Sequence, residues 1–142
     1  MIHPFKTLAA LGLAAVLGLA ACEPTTPATP GSTIPTGPYV LVGIGADTVP
    51  QRNVGMTIAA DGSISGQGPC NSYNAAQTSQ PPGFTLGPIG STKMLCNGRA
   101  GQLERRYLDA LQQANGISFE GGVLTIKGPT YLTYEPGYRK EK

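Results

Sequence analysis

The sequence predicts an α+β fold: an antiparallel, curled β-sheet of about seven short strands, barrel-like but incomplete, with one packed α-helix. Three observations lead there. Short runs rich in β-branched and aromatic residues recur between glycine-containing turn signals, as in hairpins and meanders. One stretch only, GQLERRYLDALQQANG (101–116), repeats its apolar residues at helical spacing along a single face. No internal repeat divides the chain, so one globular unit is expected, over residues 39–135.

Ahead of that unit the chain changes character. MIHPFK carries Lys6 and the terminal amine, and LAALGLAAVLGLA (8–20) is an apolar block shorter than the about 20 residues that span a bilayer. This is the pattern of a signal peptide over residues 1–21, absent from the mature protein. The block ends in Leu19-Ala20-Ala21-Cys22, which resembles the bacterial lipobox, where small residues admit the lipoprotein signal peptidase and the cysteine is lipidated. Ordinary secretory cleavage after Ala20 and Ala21 is the plainer alternative. Acyl chains on Cys22 would anchor the protein to a membrane, each buried methylene contributing about 0.8 kcal/mol. Glu23, in place of an aspartate, points to the outer membrane, facing the periplasm. Residues 22–38 then form a tether: Pro24, Pro27, Pro30 and Pro35 interleave with threonines without an apolar period. Extended as polyproline II at about 3.1 Å per residue, residues 23–37 of it would reach roughly 46 Å.

Composition removes several function classes. The formal net charge of +2 falls by one when Lys6 is cleaved away, leaving no electrostatic footprint for nucleic acid. The one histidine, His3, lies in the signal segment, and there is no tryptophan. Without histidine the mature chain has no Ser-His-Asp triad, no Cys-His pair and no His-ligated zinc. No catalytic residue, cofactor or metal is expected.

The elements follow in order. YVLVGIGAD is apolar and β-branched enough for a buried strand. In NVGMTIAADGSISGQG, Val54, Met56 and Ile58 share a face, Asp61-Gly62 signals a hairpin, and residues 63–66 return. Residues 74–83 read as an exposed loop. FTLGPIGS turns Phe84, Leu86 and Ile89 towards a core, with Pro88 at an edge or bulge. On the helix, Leu103, Tyr107, Ala110, Leu111 and Ala114 make the buried stripe, and Asn115-Gly116 is the stop signal. ISFEGGVLTIKGPTYLTYE then splits at Glu120-Gly121-Gly122 and Lys127-Gly128-Pro129 into a three-strand meander, with either Leu124 and Ile126 or Val123 and Thr125 facing inward. Residues 136–142 form a flexible tail.

Besides Cys22, two cysteines remain, Cys70 and Cys96. In an oxidising periplasm they read first as a disulfide, which in the chain-entropy picture contributes roughly 3.5 kcal/mol. The alternative is a reactive thiolate, for which Lys93 and Arg99 near Cys96 supply positive charge.

In order, SGQGPCNSY, TLGPIGSTKMLC, LERRYLDAL, GGVLTIKG and YLTYE together resemble the META domain, the fold of HslJ-like heat-shock proteins. The matching positions are Gly66, Cys70, Asn71 and Tyr73 in the first turn, Ser91, Thr92, Met94 and Cys96 in the second segment, and Glu104 on the helix. Two departures stand out: Pro69 replaces the glycine common before the first cysteine, and the tryptophan frequent in the first strand, around 42–44, is missing. The resemblance implies a secreted or envelope protein of the kind linked to heat shock, antibiotic tolerance and motility. It carries over no catalytic residue.

Other candidates weigh less. Ser91 and Lys93 form a nominal Ser/Lys dyad, against a plain strand end with Lys93 solvated and Met94 in the core. Glu104 lies on the helix's polar side, where solvation is expected and a bond to an arginine or to the 70–73 turn is the alternative. Tyr73, Tyr131, Tyr134 and Tyr138 are candidates for a binding face. The sequence therefore leads to a non-enzymatic envelope lipoprotein that supports stress tolerance or envelope integrity through structural or protein contacts, held by Cys22 in the membrane and binding no nucleic acid. The alternatives are a small-molecule or peptide binding module on the sheet face, and a thiol-dependent enzyme.

Overall fold

A computed structural model of the protein describes residues 33–137 together with Gly18. The signal segment 1–21 (Gly18 apart), Cys22, the tether up to residue 32 and the tail from Tyr138 lie outside the described residues. Nine antiparallel strands and one helix follow: β1 (Gly37–Ile44), β2 (Asp47–Thr48), β3 (Gly55–Ile58), β4 (Ile64–Gln67), β5 (Ser72–Ala75), β6 (Gly90–Ser91), α1 (Gly98–Gln112), β7 (Gly116–Glu120), β8 (Val123–Lys127) and β9 (Leu132–Pro136). They form one open sheet in the order β6-β5-β4-β3-β1-β9-β8-β7, with β2 folded back on β1. The curled sheet and its single helix are as the sequence predicts. Seven of the strands have four residues or more, and the two-residue β2 and β6 complete the nine.

The hairpin at Asp61-Gly62 pairs Ile58 with Ile64, and the alternation before it buries Val54, Met56 and Ile58. Asp61 builds this turn by accepting the Ser63 N–H at 2.9 Å and the Ser63 hydroxyl at 2.6 Å, bonds that hold its carboxyl below the usual aspartate range. Of the two faces open for β8, burial selects Leu124 and Ile126 and leaves Val123 exposed. The core gathers inward residues from both sides of the sheet order, together with Phe84 and with Tyr107, Ala110 and Leu111 of α1. Each fully buried side chain of this size stabilises by about 1.5–3 kcal/mol.

Several boundaries move, for tertiary reasons. The sheet begins at Gly37, ahead of Tyr39, because Gly37 and Pro38 pair with Ile58 and Thr57 while Ile34 packs on the core. At the other end, β9 extends to Pro136 and the Gly137 N–H reaches the Pro38 carbonyl at 2.9 Å. Part of the expected 74–83 loop is strand: β5 pairs with β4 and buries Tyr73 and Ala75, although its small polar sequence has little strand preference of its own. Conversely, FTLGPIGS buries Phe84 and Leu86 but contributes to the sheet only through Gly90 and Ser91. Helix α1 starts at Gly98 and ends at Gln112, short of Asn115-Gly116. There the Asn115 N–H donates to the Lys127 carbonyl at 2.8 Å and Gly116 opens β7, so the sheet claims the residues that would have closed the helix.

The loop between β5 and β6 doubles back on itself through a Gln77–Leu86 bridge. Its tip reaches the start of β7, where Phe84 N–H donates to Asn115 O and Ile117 N–H to Pro82 O at 2.9 Å. The loop thus spans the seam that the open sheet leaves.

Candidate functional site

The residues that carry the family resemblance converge on one corner, where the β4–β5 turn, the segment before α1 and the first half of α1 meet. Cys70 and Cys96 form a disulfide, their Cα atoms 6.2 Å apart. Asn71 and Glu104 are the buried polar residues of the domain. One Glu104 oxygen accepts the backbone N–H of Asn71 at 2.6 Å and of Cys70 at 3.2 Å. The other accepts the Asn71 side-chain amide at 2.7 Å. Glu104 is therefore not the solvated helix residue that its place in the sequence suggests, but the acceptor for a whole turn.

Asn71 links the same turn to the opposite segment. Its Oδ1 accepts the Thr92 hydroxyl and the Met94 N–H, each at 2.8 Å, and its Nδ2 donates to the Met94 carbonyl at 3.3 Å as well as to Glu104. A buried asparagine has two donors and an acceptor oxygen with two lone pairs, and here all are used. Thr92 closes the corner by pairing its N–H with the Ser72 carbonyl at 3.0 Å.

Two glycines make the corner possible. A Cβ on Gly66 would strike the Gly55 carbonyl, with the Met56 Cα only 2.9 Å away, so any side chain there would part β3 from β4. A Cβ on Gly68 would sit 2.7 Å from the Glu104 carboxyl and 3.0 Å from the Asn71 carbonyl.

Beneath the turn runs a chain of three buried phenols. Tyr73 donates to the Gly55 carbonyl at 2.9 Å, so its single proton is committed. The 2.6 Å bond between the Tyr73 and Tyr107 hydroxyls must then be donated by Tyr107, which in turn accepts from Tyr134 at 3.1 Å. Burial, with the Tyr73 phenol next, pushes Tyr134 well above the ordinary phenolic value of 10.0.

These placements change several expectations. Tyr73 and Tyr134 are core residues and only Tyr131 is exposed, so the tyrosines do not share a binding face; Tyr138 lies outside the described residues. Met94, expected in the core, is exposed, because Asn71 holds its backbone at the rim. Ser91 pairs with Tyr73 in the sheet while Lys93 is exposed, and no hydrogen bond joins the two among the described residues. Cys70, Cys96 and Glu104 bring their ligand atoms within 4.8 Å of one another, but the sulfurs are bonded to each other and offer no thiolate to a metal. Elsewhere, a cleft of about 400 Å³ lies between the Asp61-Gly62 hairpin and the loop at 77–81, lined also by Ile34, Ile58 and Ile117. Among the described residues no helix is long and apolar enough to cross a membrane.

Solved structures share this architecture. A protein from Burkholderia xenovorans, determined by NMR, superposes with a TM-score of 0.59 at 21% identity, covering 73% of this chain and 83% of its own. A second NMR structure gives 0.58 at 19% identity, over 70% of this chain and 88% of that one. A DUF4847-family crystal structure from Bacteroides vulgatus gives 0.55 at 12% identity, over 73% and 94%. At these identities the likeness is one of fold. No curated protein matches the sequence. The META domain profile matches residues 32–135, which takes in the helix and every strand described above but for the last residue of β9, and on that match the chain belongs to the META domain family.

Proposed function

We propose that this META-domain protein is a non-enzymatic envelope lipoprotein, anchored through Cys22 in the outer membrane and facing the periplasm, that supports envelope integrity under stress through structural or protein contacts. The Cys70–Cys96 disulfide is the observation that carries the reading, because such staples persist in oxidising compartments and the chain ahead of the domain has the signal segment and lipobox that deliver proteins there. The corner chemistry agrees. Asn71 and Glu104, the groups whose burial would otherwise mark a reaction centre, direct their bonds to each other, to backbone and to the Thr92 hydroxyl. A ligand site on the concave sheet face has less support, since Tyr107, Leu111 and Phe84 fill that side of the sheet. A thiol enzyme would need one of the two sulfurs free.

The test is fractionation of cell envelopes after a high-salt wash. The wild-type chain is expected with the outer membrane, and Cys22→Ser in the soluble periplasmic fraction. Retention of Cys22→Ser in the washed membrane would overturn the anchor. In a strain lacking the protein, heat and detergent sensitivity should be relieved by the wild-type chain and not by Cys22→Ser.

A further inference from the structure

The segment between β6 and α1 presents an arrangement that the corner chemistry leaves unexplained. Leu95 is 89% exposed and Met94 62%, the largest exposures among the big apolar side chains of the described residues. They are not loose. Asn71 bonds the Met94 backbone on both its N–H and its carbonyl, and the disulfide fixes Cys96 directly after Leu95. A buried asparagine and a disulfide are thus spent on holding two apolar side chains out in water, where each forgoes the stabilisation that burial would bring.

The surroundings are of one sign. Lys93 precedes the pair and Arg99 follows it, both exposed. Arg105, also exposed, keeps its guanidinium 3.6 Å from where a Cβ on Gly101 would stand. None of the three takes part in a salt bridge among the described residues, where Arg106 pairs with Asp47 and Arg52 with Glu135. The acid in this stretch, Glu104, is buried and faces the 70–71 turn. A fixed apolar tip flanked along the chain by cations complements a surface that is anionic at its face and apolar just beneath.

We propose that Met94 and Leu95 insert into an anionic phospholipid bilayer, with Lys93, Arg99 and Arg105 resting on its headgroups. The occupant is the lipid surface rather than a protein groove, because complementary charge flanks the tip on both sides and the chain carries no acid from Ser91 to Leu103. The contact rests on the loop's own chemistry and does not require the lipid on Cys22.

The absence of tryptophan supplies the probe. Leu95→Trp in the full chain makes a single indole at the tip, and Val123→Trp puts one on the β7–β8 hairpin, exposed but beside Glu120. On vesicles containing phosphatidylglycerol, Leu95→Trp emission should shift to the blue and be quenched by brominated acyl chains. Both effects should vanish on pure phosphatidylcholine, in high salt, and when Lys93, Arg99 and Arg105 are changed to glutamate. Val123→Trp should not respond. Equal responses at both sites, or none at Leu95→Trp, would overturn the proposal. So would a shift produced by polyglutamate but not by anionic vesicles, which would assign the tip to an acidic protein partner. Fractionation of Cys22→Ser reads the anchor separately, so the two ideas can fail independently.

Discussion

Glu104 shows how much one side chain can organise. Its carboxyl group accepts three N–H bonds from a turn 33 and 34 positions away, and the two from Asn71 are buried. Replacing it with glutamine keeps the size but exchanges one acceptor for a donor. Whichever way the new amide lies, an N–H of the turn then faces another N–H. Loss of about 1–3 kcal/mol is expected for Glu104→Gln, read as a lower urea midpoint at unchanged slope, and an unaltered midpoint would refute the role. Sequence reasoning left this residue open for a physical reason. A helical wheel ranks positions by hydropathy, and Glu104 sits among polar neighbours, while its burial comes from a turn that no local period can anticipate. Met94 failed the same way with the opposite sign: an apolar side chain was assigned to the core, but its backbone is committed to Asn71 at the rim.

Among the elements, α1 is notable for how little of its start is local. Asn97 stands in the N-cap position in an extended conformation without a side-chain cap bond, and the first turn has no acid. Two of the usual stabilisers of a helix N-terminus are thus missing. In their place are the disulfide one residue before the cap and the Glu104 bonds two turns in, both tying the helix to the β4–β5 turn. Removing the disulfide with Cys70→Ala and Cys96→Ala together should therefore cost roughly 3.5 kcal/mol from loop closure alone, over a separation of 26 residues. Equal urea midpoints for the oxidised wild type and the double variant would exclude that contribution. The stripe of α1 and the Asp61-Gly62 hairpin were legible beforehand because their periods and turn chemistry are local. Strand β5 was not, since Ser72–Ala75 becomes strand only by pairing with β4.

At the scale of the molecule, the phenol chain Tyr134–Tyr107–Tyr73 crosses the core from β9 through α1 to β5 and ends on β3. With its proton held in the folded state, Tyr134 adds stability that is complete below the ordinary phenolic value of 10.0. Above that pH the unfolded chain loses the proton first, so stability falls as pH rises towards the folded value. Urea midpoints should drop as the pH rises above about 10, and drop less in Tyr134→Phe. Identical slopes in the two proteins would remove Tyr134 as the cause. The overall architecture was readable because hairpins and a meander with one amphipathic helix leave few packings. The strand order was not, since pairing between distant strands leaves no local mark.

That order has a consequence for how the sheet can be assembled. β9, the last strand in the chain, lies between β1 and β8, and every other path through the sheet is broken without it. A chain ending before Leu132 can pair β1 with β3 through to β6, and β7 with β8, but the halves are then joined in backbone bonding by the 82–84 loop at the start of β7 and by no strand ladder. The first strand waits for the last, so folding of this domain is a late, long-range event that follows completion of the polypeptide rather than accompanying it.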